Sequence, residues 1–237
     1  MTEPTIPAVR TEALWKIFEQ DGIAVEAVRD VTMRIDPGEF VVLAGPSGSG
    51  KTTLLNLFGG LTRPTRGQIL VDGRDLSEMS ERDLARLRLE RIGFVFQAYN
   101  LLPVLTALEN AEFPLLLRGV SVEERRRRVT ELFGRIGMSG LEDRYPRKLS
   151  GGQQQRIAVA RAVVGDPALV LADEPTANLD TATSEALLDV MVRLNEELGT
   201  TFVFATHDSR LIERARRVVR LVDGAIDSDD RRSAPGG

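Results

Sequence analysis

The chain has 237 residues, of which 42% are hydrophobic and 28% are charged, and this balance suits one α/β domain with a substantial core and excludes a disordered or fibrous protein. The net charge of −4 gives no overall preference for nucleic acid or for an anionic membrane surface, and the absence of cysteine excludes disulfides and thiolate metal sites. No run of about 18 apolar residues occurs, so we expect any work on membranes to need a partner that supplies the spans.

Four short apolar runs predict strands that are buried on both faces of a parallel sheet. In chain order they are residues 40–44, 92–96, 168–172 and 201–205. Each run ends at a group that can handle phosphate, metal or water: a glycine-rich loop, Gln97, Asp173 with Glu174, and Thr206 with His207. Ligands bind outside the carboxyl ends of the strands in open α/β sheets, so we expect the four ends to converge on one site.

Helical patterns fill the intervals between these runs, at residues 81–89, 122–136, 152–164 and 183–198. Asp72 and Gly73 predict a tight turn between two antiparallel strands, residues 68–71 and 74–76. The segment of about residues 98–150 has no buried-strand run and is interpreted as an inserted helical subdomain. The expected fold is a single α/β domain over residues 1–237, with a mainly parallel core at about residues 10–97 and 151–226, an N-terminal antiparallel β subdomain and a disordered tail at residues 227–237.

The loop after the first run matches the phosphate-binding pattern G-x-x-x-x-G-K-[ST], and it stands between a predicted strand and a predicted helix, as that pattern requires. Its glycines let main-chain N–H groups approach phosphate oxygens, and the helix that begins near Lys51 points its positive end at the same anion. We expect Lys51 to reach the β- and γ-phosphates and the Thr52 hydroxyl to ligate Mg²⁺. The sequence therefore predicts a P-loop NTPase core in which ATP is bound by Gly45, Pro46, Ser47, Gly48, Ser49, Gly50, Lys51 and Thr52.

Two adjacent carboxylates follow the run at residues 168–172, and Pro175 stops further strand pairing after them. Asp173 is placed to hold magnesium, often through water, and Glu174 is placed to accept a proton from the water that attacks the γ-phosphate. We assign the catalytic base to Glu174. The alternative, an ordinary solvated loop, is disfavoured by the phosphate loop in the same chain.

A second helix start stands at Ser150, Gly151, Gly152 and Gln153, just before the helical run that continues through Ala160. The positive end of that helix also favours an anion. Because the phosphate loop already serves the chain's own ATP, this second site most simply serves nucleotide bound by another copy or by a homologous chain. The alternative is an ordinary serine-capped helix with glycines for packing.

Together with Gln97, Asp180 and His207, these motifs resemble the full motif set of an ABC transporter nucleotide-binding subunit, over about residues 10–226. The resemblance implies that Thr53 joins the loop in binding phosphate and magnesium, and that Gln97 contacts the metal and senses the attacking water. It also implies that Asp180 communicates across a dimer and that His207 contacts the γ-phosphate. The implied cofactors are ATP and Mg²⁺.

Phe18 occupies the position where this family usually has a tyrosine stacked on adenine. Any flat aromatic face can stack on a base, so the substitution keeps the chemistry. Trp15 is the alternative source of the ring, and burial in the core is the alternative for Phe18.

Residues 97–110 and 114–117 resemble the branch that contains lipoprotein-releasing LolD-type and macrolide-exporting MacB-type ATPases. That resemblance implies a transmembrane permease partner (FtsX/MacB-like), a homodimer or paired ATPase subunits, and a peripheral place on the cytoplasmic side of the cell membrane. Export or extraction of a hydrophobic or amphiphilic substrate follows as the expected function. The alternative is an FtsE-like ATPase that regulates a cell-envelope hydrolase through an FtsX-like membrane protein, with nothing transported.

Two further surfaces bear on the partners. Leu101, Leu102, Val104 and Leu105 are candidates for an apolar groove that takes a cytoplasmic helix of the permease, with burial as the alternative for about half of them. The basic run at residues 125–128 follows two glutamates at helical spacing, so we expect a solvated helix face and no nucleic-acid role.

Overall fold

The structure, a computed structural model, describes residues 5–20 and 22–232, which form two sheets and the helices that cover them. The strands are β1 (Val9–Gln20), β2 (Ile23–Ile35), β3 (Phe40–Ala44), β4 (Arg66–Val71), β5 (Arg74–Asp75), β6 (Ile92–Phe96), β7 (Leu169–Asp173), β8 (Thr201–Thr206), β9 (Arg217–Val222) and β10 (Ala225–Arg231). The helices are α1 (Lys51–Phe58), α2 (Glu81–Arg91), α3 (Ala107–Leu117), α4 (Val122–Ile136), α5 (Gly151–Val163), α6 (Thr181–Leu198) and α7 (Ser209–Arg214).

The core sheet has the strand order β10-β9-β3-β8-β7-β6, and all of its pairs are parallel except β9 with β10. The four runs predicted as buried strands are β3, β6, β7 and β8. Alternate residues of β3 enter two different hydrophobic clusters, Val42 on one face and Val41 and Leu43 on the other. Helices therefore cover both faces, which explains why these strands are apolar runs without alternation.

A second sheet, of order β2-β1-β4-β5, is antiparallel throughout. The predicted turn joins β4 to β5, where Asp72 and Gly73 have φ of 50° and 74°. Two successive positive φ angles match the right-handed twist of the paired strands, and this is why Asp-Gly is favoured there. This antiparallel sheet packs against the core through contacts between β2 and α1.

Residues 98–150 contain α3, α4 and a short 3-10 turn at Pro146–Lys148, and no strand. Thr106 and Glu109 form a capping box at the start of α3, and Gly137 ends α4 with φ of 69°. The two helices pack against each other and against α5, so the helical insertion shares an interface with the helix that begins after Ser150. No helix among the described residues is long and apolar enough to cross a bilayer.

The basic run on α4 is only partly a solvated face. Arg127 and Arg128 pair with Glu124 at 2.9 and 2.6 Å, as expected for an exposed helix surface. Arg125, in contrast, is only 13% exposed and its Nε lies 3.4 Å from a carboxylate oxygen of Glu112 on α3. The prediction of a solvated face is therefore wrong for Arg125, which points between the two helices.

The C-terminal segment is also more ordered than its composition indicates. The prediction of disorder from residue 227 is wrong for residues 227–231, which lie in β10 and pair with β9. The buried Arg217 of β9 binds Asp229 of β10 and Glu39, both at 2.7 Å. This pairing lowers the pKa of Asp229 and anchors a polar strand that has no hydrophobic signal. Residues 233–237 lie outside the described residues.

Candidate nucleotide-binding site

The four strand ends meet at one open pocket of about 610 Å³. Because β3, β8, β7 and β6 are neighbours in the sheet, the residues that follow them emerge at one edge. The predicted residues that line the pocket are Ser47, Gly48, Gly50, Lys51, Thr52, Thr53, Gln97, Glu174 and His207. Residues up to about 160 positions apart in the chain thus reach one site, as the strand pattern predicts.

Close approach of neighbouring main chains explains the glycines of the phosphate loop. A Cβ at Gly45 would lie 2.3 Å from the carbonyl oxygen of Leu221, and one at Gly50 would lie 2.3 Å from that of Ala27. Gly50 is left-handed with φ of 97° and gives α1 no side-chain cap. The first N–H groups of α1 therefore have no side-chain acceptor at the N-cap, a state suited to an anion.

Lys51 and Thr52 stand at the start of α1 with their polar atoms beside the loop. Lys51 Nζ donates to the carbonyls of Gly45 and Pro46, both at 2.8 Å. The Thr52 hydroxyl donates to Asp173 Oδ1 at 3.0 Å. Burial raises the pKa of the Asp173 carboxyl, an effect that the Thr52 hydrogen bond opposes. A hydroxyl and a carboxylate in contact are oxygen ligands of the kind that Mg²⁺ prefers, so the pair fits this ion.

Glu174 is held in an unusual conformation beside Asp173. Its φ of 44° lies in the left-handed region that non-glycine residues rarely adopt, and its N–H donates to the carbonyl of Ala205 at 2.9 Å. The Thr206 hydroxyl donates to one carboxylate oxygen at 2.8 Å, and His207 Nδ1 lies 2.7 Å from the other. Such strain persists where surrounding contacts fix it, and at this pocket edge it aims a carboxylate at the ligand space.

Ser150, Gly151, Gly152 and Gln153 begin α5, as predicted, but they do not line this pocket. Ser150 and Gln153 form a capping box, in which each side chain accepts from the other's N–H at 3.3 and 2.9 Å. A Cβ at Gly152 would lie 2.2 Å from Thr183 Cγ2. Capping and close packing, the alternative considered from sequence, are therefore both present.

Asp180 caps α6 and also lies outside the pocket. Its carboxylate accepts from the N–H and the hydroxyl of Thr183 at 3.0 and 2.6 Å, and the hydroxyl bond in particular lowers its pKa. Because the Thr183 methyl group also leaves no room for a Cβ at Gly152, the first turns of α5 and α6 are in direct contact.

Phe18 lies on β1 directly opposite Val25 of β2, and Val25 lines the pocket. The Phe18 side chain is 43% exposed, and Lys16 Nζ stands 4.8 Å from its ring centre. The ring is therefore available at the rim and is not part of the core.

Sequence reasoning missed one wall of the pocket, formed by Val25, Glu26, Ala27, Arg29 and Asp223. Residues 25–29 belong to β2, and Asp223 belongs to the β9–β10 turn, whose Gly224 would meet the Ala27 carbonyl at 3.0 Å if it carried a Cβ. The Asp-Gly pair at this turn was a usable signal, because it resembles the one at Asp72.

An apolar groove of about 440 Å³ lies beside β6, between the core and the helical insertion. Phe94, Phe113 and the exposed Leu61 and Leu117 line it. The four residues predicted for such a groove do not line it: Leu102 and Val104 are exposed, and Leu101 and Leu105 are half-buried.

A parallel sheet with a phosphate loop after one strand and two carboxylates after another defines the class of P-loop nucleotide hydrolases. The chain belongs to the ABC transporter family, whose profile matches residues 28–177. It is an ATP-binding and ATP-hydrolysing cassette with the ABC ATPase fold.

The chain is 48% identical over 219 residues to an uncharacterized ABC transporter ATP-binding protein of Thermotoga maritima, covering 92% of this chain and 93% of that protein. It is 41% identical over 220 residues to the lipoprotein-releasing system ATP-binding protein LolD of Alcanivorax borkumensis, covering 93% and 96%. The macrolide export ATP-binding/permease protein MacB of Syntrophobacter fumaroxidans is 46% identical over 223 residues, which are 93% of this chain and only 31% of that protein. These relatives agree with the LolD/MacB-like branch.

Among solved structures, the ATP-binding cassette MJ0796 superposes with a TM-score of 0.87 at 39% identity, over 95% of this chain and 99% of that one. That structure is dimeric, in a post-hydrolysis state with ADP and Pi bound.

Proposed function

We propose that two copies of this chain, or this chain and a homologous subunit, close around two Mg-ATP and drive a membrane permease of the MacB/LolCE type. One observation carries the proposal: the helix dipole gives the α5 start at Ser150–Gln153 a positive end although Ser150 caps it, and this end does not line the pocket of Lys51 and Glu174. Each chain would then supply the phosphate loop of one site and the α5 start of the other. The dimeric MJ0796 cassette with ADP and Pi supports this arrangement.

Within one site, the phosphates lie along the loop from Gly45 to Thr53. Lys51 exchanges its two carbonyl acceptors for the β- and γ-phosphates, because phosphate oxygens make stronger charge-assisted hydrogen bonds. The Thr52 hydroxyl and Gln97 would hold Mg²⁺, and Asp173 would bind it through water. The ion would supply charge neutralisation at the γ-phosphate.

Glu174 orients the attacking water and accepts its proton, and its carboxylate is kept in place by Thr206 and His207. The second ring nitrogen of His207, Nε2, contacts the γ-phosphate when ATP is bound, because the side chain is 75% exposed and only Nδ1 is used by Glu174. Phe18 stacks on adenine at the rim, next to Val25. Asp180 lies on the surface that faces the second subunit, and its hydrogen bond with Thr183 links it to the start of α5.

The apolar groove beside β6 takes a cytoplasmic segment of the permease. Leu61 and Leu117, which line the groove, are 47% and 57% exposed. Burial of such side chains stabilises a complex by about 25 cal/mol per Å² before association costs. The cassette would thereby sit on the cytoplasmic face of the membrane, and the LolD and MacB relatives favour export or extraction of a hydrophobic or amphiphilic substrate.

Solution scattering of Glu174→Gln with saturating Mg-ATP tests the dimer. We expect a dimer for this variant and a monomer for the double variant Glu174→Gln with Ser150→Arg, which keeps its own nucleotide pocket because Ser150 does not line it. Fluorescent ATP binding to both proteins checks that the pocket is intact. The proposal is contradicted if Glu174→Gln stays monomeric, or if the double variant with Ser150→Arg still dimerises.

Affinity purification of the chain from membranes, with mass spectrometry of the bound permease, tests the proposed permease partner. Reconstitution of the pair in vesicles then separates two functions. ATP-dependent flux of an amphiphilic substrate supports transport, whereas activation of a cell-envelope hydrolase without flux supports the regulatory alternative.

A further inference from the structure

The segment that follows β6 has an energetically unfavourable backbone. Tyr99 and Asn100 are consecutive non-glycine residues with φ of 53° and 51°, both in the left-handed region. Each such residue is uncommon, and a pair persists only where other contacts hold it. We call residues 97–100 the β6 loop.

Side chains from outside the loop hold its main chain. Three of its carbonyls accept such bonds: Gln97 O from Asn178 Nδ2 at 3.0 Å, Tyr99 O from Arg161 Nη2 at 2.8 Å and Asn100 O from Arg161 Nη1 at 2.6 Å. Gln155 Nε2 donates to the carbonyl of Phe96, the last residue of β6, at 3.3 Å. Gln155 and Arg161 both belong to α5. The helix that begins at Ser150 therefore carries the main contacts that fix the β6 loop.

Arg161 is committed to this task. Within residues 5–20 and 22–232 no neighbouring charge shifts the pKa of its guanidinium, and its two hydrogen-bond acceptors are the carbonyls of Tyr99 and Asn100. Burial lowers the pKa of its guanidinium, so the placement carries an electrostatic cost that no carboxylate offsets. A planar guanidinium can bond two neighbouring carbonyls at once, which an ammonium group cannot do with the same geometry.

A second contact lies at the other end of α5. A Cβ at Gly151 would lie 2.8 Å from the Tyr99 hydroxyl oxygen, so the phenol rests on the first residue of the helix. The loop thus touches α5 at Gly151 and again at Arg161, ten residues later. Its main chain is fixed, while the Gln97 side chain is exposed and lines the nucleotide pocket.

From this geometry we propose that Arg161 is a positioning residue that clasps the β6 loop to α5, so that the Gln97 end of one nucleotide site moves together with the Ser150 start that serves the other. The inference rests on the proposed function for its consequence, but not for the clasp itself. Asn100 and Arg161 also line the apolar groove beside β6. A permease segment seated in that groove would therefore press on the clasp and reach both nucleotide sites.

The test compares Arg161→Met with a control on the same helix. Arg156→Met removes a half-buried arginine of α5 that donates to one carbonyl, Ile136 O at 2.9 Å, outside the β6 loop. Hydrogen exchange at the amides of residues 97–102, measured without nucleotide, should accelerate about tenfold in Arg161→Met and stay unchanged in Arg156→Met. Arg161→Lys, which keeps the charge but spans only one carbonyl, should fall between wild type and Arg161→Met.

The consequence is measured in the Glu174→Gln background. The ATP concentration that half-saturates dimer formation should rise about tenfold with Arg161→Met, while the affinity of the monomer for fluorescent ATP stays within about twofold. A general loss of stability would change both quantities and would also appear in Arg156→Met.

Wild-type exchange in a folded Arg161→Met or Arg161→Lys overturns the clasp, as does equal acceleration in Arg156→Met. A normal dimerisation midpoint for Arg161→Met overturns its role between the sites. If Glu174→Gln with Arg161 intact does not dimerise, the proposed function fails instead, and the exchange comparison still decides the clasp.

Discussion

Glu174 and His207 meet at the ends of two neighbouring strands, with Glu174 Oε1 lying 2.7 Å from His207 Nδ1. The register of β7 with β8 pairs Asp173 with Ala205, so the residues that follow emerge side by side. A slip of one residue would send each side chain to the opposite face of the sheet. The contact between this carboxylate and this imidazole therefore depends on the pairing of two strands whose ends are more than thirty positions apart in sequence. This contact motivates the first two predictions.

Replacement of Glu174 by Gln should lower steady-state ATP hydrolysis by about a hundredfold or more, because an amide cannot accept the proton of the attacking water. ATP affinity should be unchanged, since the hydrogen bonds of the Glu174 side chain go to Thr206 and His207 and not to the phosphate loop. Phosphate release and fluorescent ATP binding measure the two quantities. Hydrolysis above about one tenth of wild type would exclude Glu174 as the base.

Thr206→Val should lower kcat about tenfold, because it removes the hydroxyl that donates to Glu174 at 2.8 Å and also accepts from the Asp208 N–H at 3.0 Å. Thr206→Ser keeps that hydroxyl and should retain most of the activity. The KM for ATP should change little in either variant. Equal kcat values for the two variants would refute an orienting role for this hydroxyl.

Lys51→Ala should weaken ATP binding by about ten- to a hundredfold, the effect of losing a charge-assisted hydrogen bond of about 1.5–3 kcal/mol. Equilibrium titration with fluorescent ATP measures the change. Lys16→Ala, which removes an amine at the rim of the site, is the matched control and should have a much smaller effect. Unchanged affinity in Lys51→Ala would contradict the assignment of the phosphate loop.

Gly152→Ala should impair dimer formation and cost about 1–3 kcal/mol of unfolding free energy, because the new Cβ would lie 2.2 Å from Thr183 Cγ2. Thr183→Ser removes that methyl and keeps the hydroxyl bond to Asp180. The double variant should therefore recover both stability and ATP-driven dimerisation. Chemical denaturation and scattering measure them, and failure of the serine to rescue would place the cause elsewhere.

Arg217→Met should cost about 2 kcal/mol of unfolding free energy at neutral pH, because it removes the ion-pair partner of Asp229 and leaves Glu39 with only the exposed Arg231. Arg217 holds the pKa of Asp229 below its usual range, so this contribution is present above about pH 4. It is lost as pH falls through the lowered pKa, and the difference from wild type should shrink there.

Denaturant unfolding at pH 7 and pH 3 measures that difference. Arg231→Met is the control, since Arg231 is 61% exposed and pairs with Glu39 at 3.2 Å, and its loss should cost less than about 1 kcal/mol. A pH-independent difference for Arg217→Met would show that packing, and not charge, anchors β10.

Several features of this protein follow from short stretches of sequence. The phosphate loop, the Asp72-Gly73 hairpin and the Ser150 cap depend on neighbouring residues, because glycine freedom, helix ends and side-chain caps act over four or five positions. The four apolar runs could also be predicted from sequence, since burial on both sheet faces leaves Thr201 as the one polar residue within them.

Other features were decided only when distant segments met. The ordered conformation of β10 depends on the ion pair between Arg217 and Asp229, which are twelve residues apart in sequence, and no hydrophobic pattern predicts this strand. The wall at residues 25–29 reaches the pocket where the Ala27 carbonyl comes close to Gly50 and Gly224, and the clasp joins Arg161 to carbonyls more than sixty positions earlier. Local sequence determines conformations that need only local contacts, whereas hydrogen-bond partners and ion pairs between remote segments exist only after the sheet has fixed their distances.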